Sequence, residues 1–427
     1  MLSLIAEGTR LVYRWHVAVL ATAFVVSCIV GLATIGASLS FVDEQEYDAV
    51  ADTLVATGVF GMSPDRPTAY KVPGYAGFLA VFKVVAETPL LPKLAQVAMW
   101  IAAAWLTMRV ALRLYGEEAA GAALVFAVLY PVTAFAAWTL YPQAILGVLV
   151  VGSLFLLFCR EEGTYDPKEM VFHGLLLAFL VLTNPLSIFY ALLVSVALVL
   201  GRRVPVLPAS LPFVITLVAV LAWMLRNYLV MDAPFTIATN MGDNLLLGNF
   251  PGAKPNLGVD QDINHYWEMS TGLTEAARNQ LFRGIAVDWI VGHPADALSL
   301  YLQKLFYFFT YSNDIVTTGT GSFVQSLVLF VGYYGILALA LVRIALVGRK
   351  PLTWPEIVLI LVYVGGALVY SIFFNRIRFR APLDYTVMLM ASGGLAMMLD
   401  WARGDARPSE VRPVARSLRR QGAAARR

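Results

Sequence analysis

Two cysteines, four histidines and a charged fraction of only 14% leave this 427-residue sequence little polar chemistry. Cys28 and Cys159 both fall inside apolar runs, which excludes a disulfide framework and a metal cluster of the CxxC kind. His16, His173, His265 and His293 include no pair at metal-ligand spacing. Lys and Arg total 31 against 28 for Asp and Glu, and a net charge of +3 is too small for a nucleic-acid footprint. Repeats of solenoid period are also lacking. What is present is apolar: 59% hydrophobic residues and a mean hydropathy of +0.71 mark a polytopic membrane protein.

A bilayer crossing takes about 20 apolar residues at a rise of about 1.5 Å each. Stretches at 17–39, 92–112, 120–138, 142–159, 169–183, 185–201, 210–229, 322–346, 355–374 and 382–400 qualify, so the expected fold is all-α with about ten transmembrane helices. The first is too long, and lacks the small-residue cleavage site, for a removable signal peptide. If the spans alternate, Arg10, Arg14, Arg109, Arg113, Arg160, Lys168, Arg202, Arg203, Arg343, Arg349 and Lys350 share one side, which the positive-inside bias assigns to the cytoplasm. Residues 1–400 then form one membrane module, and 401–427 an arginine-rich, disordered cytoplasmic tail, solvated or lying on anionic headgroups.

Two long segments remain for the outer face, roughly 39–91 and 226–321. In the first, Gly77–Ala86 reads as an amphipathic interfacial helix. In the second, Thr274–Phe309 has helical apolar spacing around the break His293-Pro294, which predicts a small helical cap.

The chemistry collects in these segments. Asp43-Glu44-Gln45-Glu46-Tyr47-Asp48 follows the first span directly, and carboxylates at a membrane edge need water or a cationic partner. Asp43 is the candidate catalytic base; Glu44 and Glu46 are candidates to support it, although acids in a first helical turn also suit the helix dipole. Prolines and Gly74 order the stretch from Arg66 to Tyr75, so Lys71 can serve as a fixed phosphate ligand or snorkel to headgroups. Arg226 closes the seventh span, and Arg376, Arg378 and Arg380 break the positive-inside pattern before the last, as guanidinium groups that bind an anion would. Tyr70, Tyr75, Gln143, Asn244 and Asn249 are candidates for sugar or acceptor contact, with turn formation the simpler explanation for most of the 239–249 stretch.

In order and spacing, Asp43-Glu44, Glu46-Tyr47, Gly58 and Pro73-Gly74-Tyr75 resemble the first outer loop of bacterial glycosyltransferases of the GT-C fold, the group of protein O-mannosyltransferases and lipid A aminoarabinose transferase. Arg226-Asn227-Tyr228 with Gly242, Asn244 and Gly248-Asn249-Phe250-Pro251 is similar to a second element, and His293-Pro294 to a third. The resemblance covers about Asp43 to Arg380. It implies a multi-pass enzyme of the bacterial cytoplasmic membrane, with a polyprenyl-monophosphate sugar donor used from the exterior and a lipid, polysaccharide or protein acceptor. It also implies that Asp43 acts on the acceptor hydroxyl and that Lys71, with looser matches at Arg226 and 376–380, grips the phosphate. One departure is Tyr141-Pro142-Gln143, where many relatives carry a second acid. A lipid-binding assembly subunit without catalysis, or a lipid or glycolipid transporter, stays open beside the transferase. The first-loop acids are compatible with a divalent ion, but two adjacent carboxylates do not establish one.

Overall fold

The computed structural model describes residues 2–231, 236–312 and 322–403, which are helical apart from one small hairpin. An amphipathic helix α1 (Leu2–Arg14) leads into α2 (His16–Thr34). The first loop then holds α3 (Val42–Thr57), the antiparallel strands β1 (Gly61–Ser63) and β2 (Arg66–Pro67), and α4 (Pro73–Lys83). A run of helices follows: α5 (Leu90–Tyr115), α6 (Glu117–Leu129), α7 (Pro131–Trp138), α8 (Gln143–Phe158), α9 (Pro167–Thr183), α10 (Ile188–Leu200) and α11 (Val206–Met231). The second loop carries α12 (Met241–Gly248), α13 (Asn264–Met269), α14 (Glu275–Gly292) and α15 (Pro294–Phe308). The chain returns through α16 (Phe323–Ala345), α17 (Trp354–Tyr370) and α18 (Ile377–Ala402).

The chain is a polytopic membrane protein, but the expectation of about ten spans is overturned. Among the described residues, five helices are long and apolar enough to cross a membrane: α2, α5, α11, α16 with its extension to Gly348, and α18. The α6–α7 pair, bent by 52°, makes a sixth at most. Hydropathy counts apolar side chains in a window, whereas the backbone decides where a helix stops. Pro131 cannot continue α6 and opens α7 instead, and Pro185 starts a separate turn capped by the Asn184 side chain ahead of α10. The 13 residues of α10 rise only about 20 Å, short of a hydrocarbon core of about 30 Å.

The last helix organises the bundle. α18 is buried along most of its length, whereas α2, α11 and α16 leave broad apolar faces outward, as lipid-facing helices do. A Cβ on Gly394 would lie 2.1 Å from the Leu339 carbonyl, so α16 and α18 meet backbone to backbone at that point.

Charges gather at the two ends. At one end Arg10 and Arg403 both reach Glu118, Arg160 and Arg202 reach Glu169, and Arg343 forks onto Glu356 at 2.6 and 2.7 Å. α18 runs to Ala402, and of the expected tail the residues from 404 onward lie outside the described residues. The other end carries both loops. There α4 starts at Pro73 and buries Tyr75, Ala76, Leu79 and Ala80, leaving Val81, Val84 and Val85 outward. The second loop has the expected break: Thr274 caps α14, and α15 restarts at Pro294.

Candidate active site

The site begins with how α3 is fastened. Glu44 is fully buried, and its carboxylate accepts the backbone N–H groups of Ser40 (2.6 Å), Phe41 (3.0 Å) and Leu140 (2.7 Å). It caps α3 and ties it to the connection between α7 and α8. With its oxygens spent on backbone, Glu44 does not reach the acids beside it. Asp43 and Glu46, one helical turn apart, share a different face.

That face meets two cations from remote segments. Lys71 Nζ lies 2.7 Å from Glu46 Oε2 and 3.5 Å from Asp43 Oδ1, with the ring centroids of Tyr47 at 4.7 Å and Tyr70 at 5.5 Å. Arg378, in the first turn of α18, places Nη2 2.8 Å from Asp43 Oδ2 and its guanidinium 4.7 Å from the Tyr141 ring centroid. The Nε of Arg378 and the buried Oε1 of Gln143, at the start of α8, have no hydrogen-bond partner. Burial pushes the Asp43 carboxyl up, but Arg378 and Lys71 outweigh it and hold the group below the ordinary aspartate value. For Lys71, burial pulls the ammonium down while Tyr47, Asp43 and Glu46 raise it further, so the net direction is up. Arg376, the residue preceding α18, is brought down to about 10 by burial and by Arg378.

Other expected residues lie elsewhere. Successive helical positions turn about 100°, so Arg378 and Arg380 point in nearly opposite directions. Arg380 is buried in the bundle, donating to the carbonyls of Phe308 (2.5 Å) and Thr310 (2.7 Å), pairing with Asp384 at 3.1 Å and covering the Tyr333 ring. Arg226 donates to the carbonyls of Phe60 and Thr68, both at 2.8 Å, which pins the hairpin rather than facing Lys71. Tyr75 is buried behind Tyr47 and donates to Gln96. Asn249 joins Leu245, Ile372 and Lys304, and Asn244 is half-buried on α12. Lys304 itself, buried on α15, donates to the Gly248 and Phe373 carbonyls at 3.1 and 2.8 Å.

A second cluster adjoins the first, and of its members only Tyr70 is among the candidates expected from the sequence. Tyr70 lies beside Asp243 of α12 and Arg278 of α14. Its only sequence signal is an acid set among the apolar residues of a short helix, Gly242-Asp243-Asn244-Leu245-Leu246. For a divalent ion, no three of His, Cys, Asp and Glu converge among the described residues. Asp43 and Glu46 already face Lys71 and Arg378, so this donor set does not suit such an ion as it stands.

No family model and no curated protein matches the sequence. Solved structures do. The superposition on the Archaeoglobus fulgidus oligosaccharyltransferase tethered with an acceptor peptide containing the NVT sequon covers 91% of this chain and 50% of that chain, at 14% identity and a TM-score of 0.50. The chain shares the fold of that oligosaccharyltransferase over the superposed part. Fainter likenesses are to AglB of the same organism in complex with an inhibitory peptide and a dolichol-phosphate (12% identity, 91% and 51% covered, TM-score 0.49). Another is to ArnT from Cupriavidus metallidurans in the apo state (15%, 89% and 77%, 0.41). The chain spans about half the length of the oligosaccharyltransferases it matches. At such identities the likeness concerns the fold.

Proposed function

We propose that the protein is an inverting membrane glycosyltransferase that moves a sugar from a polyprenyl-monophosphate donor to an acceptor hydroxyl at the outer face. The observation that carries this reading is the convergence of Asp43, Lys71 and Arg378, from three remote segments, at the end of the bundle where both long loops lie. The fold shared with the oligosaccharyltransferase supports it.

An acceptor hydroxyl is a poor nucleophile at neutral pH. Asp43 takes its proton as the new bond to the anomeric carbon forms and the bond from that carbon to the phosphate oxygen breaks. Such general-base assistance contributes roughly 10²–10⁴-fold. Lys71, Arg378 and Arg376 receive the negative charge that grows on the departing phosphate, and do so more strongly in the transition state than before it. The ion pairs give the base a means of activation. Alone, Asp43 is a weak base because Arg378 and Lys71 hold its proton affinity down. A donor phosphate competes for those same cations, and as they turn toward it the burial of Asp43 is left to raise its proton affinity.

The test is transfer by purified protein in lipid discs, with radiolabelled polyprenyl-phosphate sugars. Asp43→Asn is expected to lose transfer and keep donor-lipid binding. Full turnover by that variant removes Asp43 from the role of base, and binding without transfer by the wild type assigns the fold to an assembly subunit.

A further inference from the structure

The cluster beside Tyr70 sets a buried carboxylate, a guanidinium and aromatic rings together, a composition that suits sugar recognition. Asp243 is 2% exposed; the Tyr70 hydroxyl lies beside its carboxylate, and neither carboxylate oxygen is held in a hydrogen bond of full geometry. Its nearest cation, Arg278, holds Nε 3.8 Å from Asp243 Oδ1, outside hydrogen-bond range, and that Nε has no hydrogen-bond partner. A buried carboxylate and a guanidinium Nε that face each other beyond hydrogen-bond range keep acceptor and donor capacity to spare, which suits a ligand that carries both donors and acceptors.

The scaffold around the pair is firm. The Gly242 N–H donates to Asn279 Oδ1 at 2.6 Å, and a Cβ on Gly242 would lie 2.2 Å from the Asn279 carbonyl, so α12 is pressed onto α14 where Asp243 and Arg278 meet. Glu275, one turn before Arg278, accepts from the Thr68 hydroxyl (2.7 Å) and the Ala69 N–H (2.9 Å), fastening the Tyr70-Lys71 segment to α14. Tyr70 consequently touches both clusters: its ring centroid is 5.5 Å from Lys71 Nζ and 5.8 Å from Arg278 Cζ. The guanidinium also lies 4.9 Å from the ring of Trp267, which is part exposed.

We propose that Asp243 and Arg278 form the subsite that recognises the hydroxyl groups of the transferred sugar, with Tyr70 between that ring and the phosphate at Lys71. This rests on the reading of Lys71 and Arg378 as the phosphate site. The chemistry is matched on each side: a carboxylate accepts from sugar O–H groups, a guanidinium N–H donates to sugar oxygens, and an aromatic face packs against ring C–H groups.

The test uses immobilised, detergent-solubilised full-length protein exposed to a lipid extract of the source membranes, with captured lipids quantified by mass spectrometry. Wild-type protein is expected to enrich glycosylated over bare polyprenyl phosphate relative to the extract. Asp243→Asn is expected to capture the bare lipid as wild type does but to lose about tenfold of the enrichment, in line with one charge-assisted hydrogen bond. Lys71→Ala is expected to lose both lipids together. Tyr70→Phe, which keeps the ring, guards against misfolding of the first variant and is expected to reduce the enrichment less. Wild-type enrichment retained by Asp243→Asn, or bare lipid captured by wild type with no enrichment, overturns the subsite. Capture of neither lipid by wild type overturns the phosphate site instead.

Discussion

Each oxygen of Asp43 has a cation of its own: Arg378 Nη2 stands 2.8 Å from Oδ2, and Lys71 Nζ stands 3.5 Å from Oδ1. Burial raises the carboxyl and these two partners lower it further, so the folded value lies below the unfolded one. The stabilisation from this group is therefore complete above the ordinary aspartate value of about 3.9 and is lost as pH falls through the lower folded value. Arg378→Gln removes one of the two attractions. The acid limb of kcat/KM, which reports the free enzyme, is expected to move to higher pH in this variant. A limb that stays in place would show that Arg378 does not govern Asp43.

Glu46 and a donor phosphate compete for the same ammonium, which sits 2.7 Å from Glu46 Oε2. Lys71→Ala is expected to weaken binding of polyprenyl phosphate about tenfold or more, as loss of a charge-assisted contact does. Glu46→Gln is expected to tighten it by a few-fold at most, because part-exposed pairs of this kind are worth about 0.2–1 kcal/mol. Titration of both variants with the same lipid checks the opposite signs.

Glu44 is expected to matter for folding and not for chemistry. Replacing it by Ala strips acceptors from the N–H groups of Ser40, Phe41 and Leu140, at a cost of about 1–3 kcal/mol for each group left buried and dry. Thermal unfolding in detergent should show the loss, and transfer per folded molecule should stay near wild type. A folded Glu44→Ala protein that cannot transfer would return Glu44 to the site.

At the opposite end, Arg343 and Glu356 are both about 1% exposed and joined at 2.6 Å. Arg343→Met leaves the carboxylate buried with only neutral donors, and a cost of about 3–5 kcal/mol is expected. Adding Glu356→Leu should recover part of it despite the lost Tyr115 and Thr353 contacts. Equal unfolding temperatures for the single and double variants would contradict a desolvation origin.

The meeting of Asp43, Lys71 and Arg378 was legible in the sequence because charge is scarce there and clusters at span ends, where the topology brings one face together. Glu44, Arg226, Arg380 and Asn249 were not, for a common reason. Each is engaged with backbone N–H or carbonyl groups of distant segments, at Leu140, Phe60 and Thr68, Phe308 and Thr310, and Ile372 respectively. Residue type predicts a charge but not which peptide group will satisfy it. Asp243 and Arg278 were missed because one stands in a short helix that reads as a turn and the other in a cap that reads as scaffold. The count of spans failed where proline cut apolar runs into shorter helices.

Lys304 has a mechanical implication. It hooks α15 to the carbonyls of Gly248 and Phe373, and its own carbonyl takes the Asn375 amide, next in the chain to Arg376 and close to Arg378. Position 304 therefore couples α15 and the end of α12 to the chain just ahead of the arginines, and truncating its side chain would slacken these attachments together.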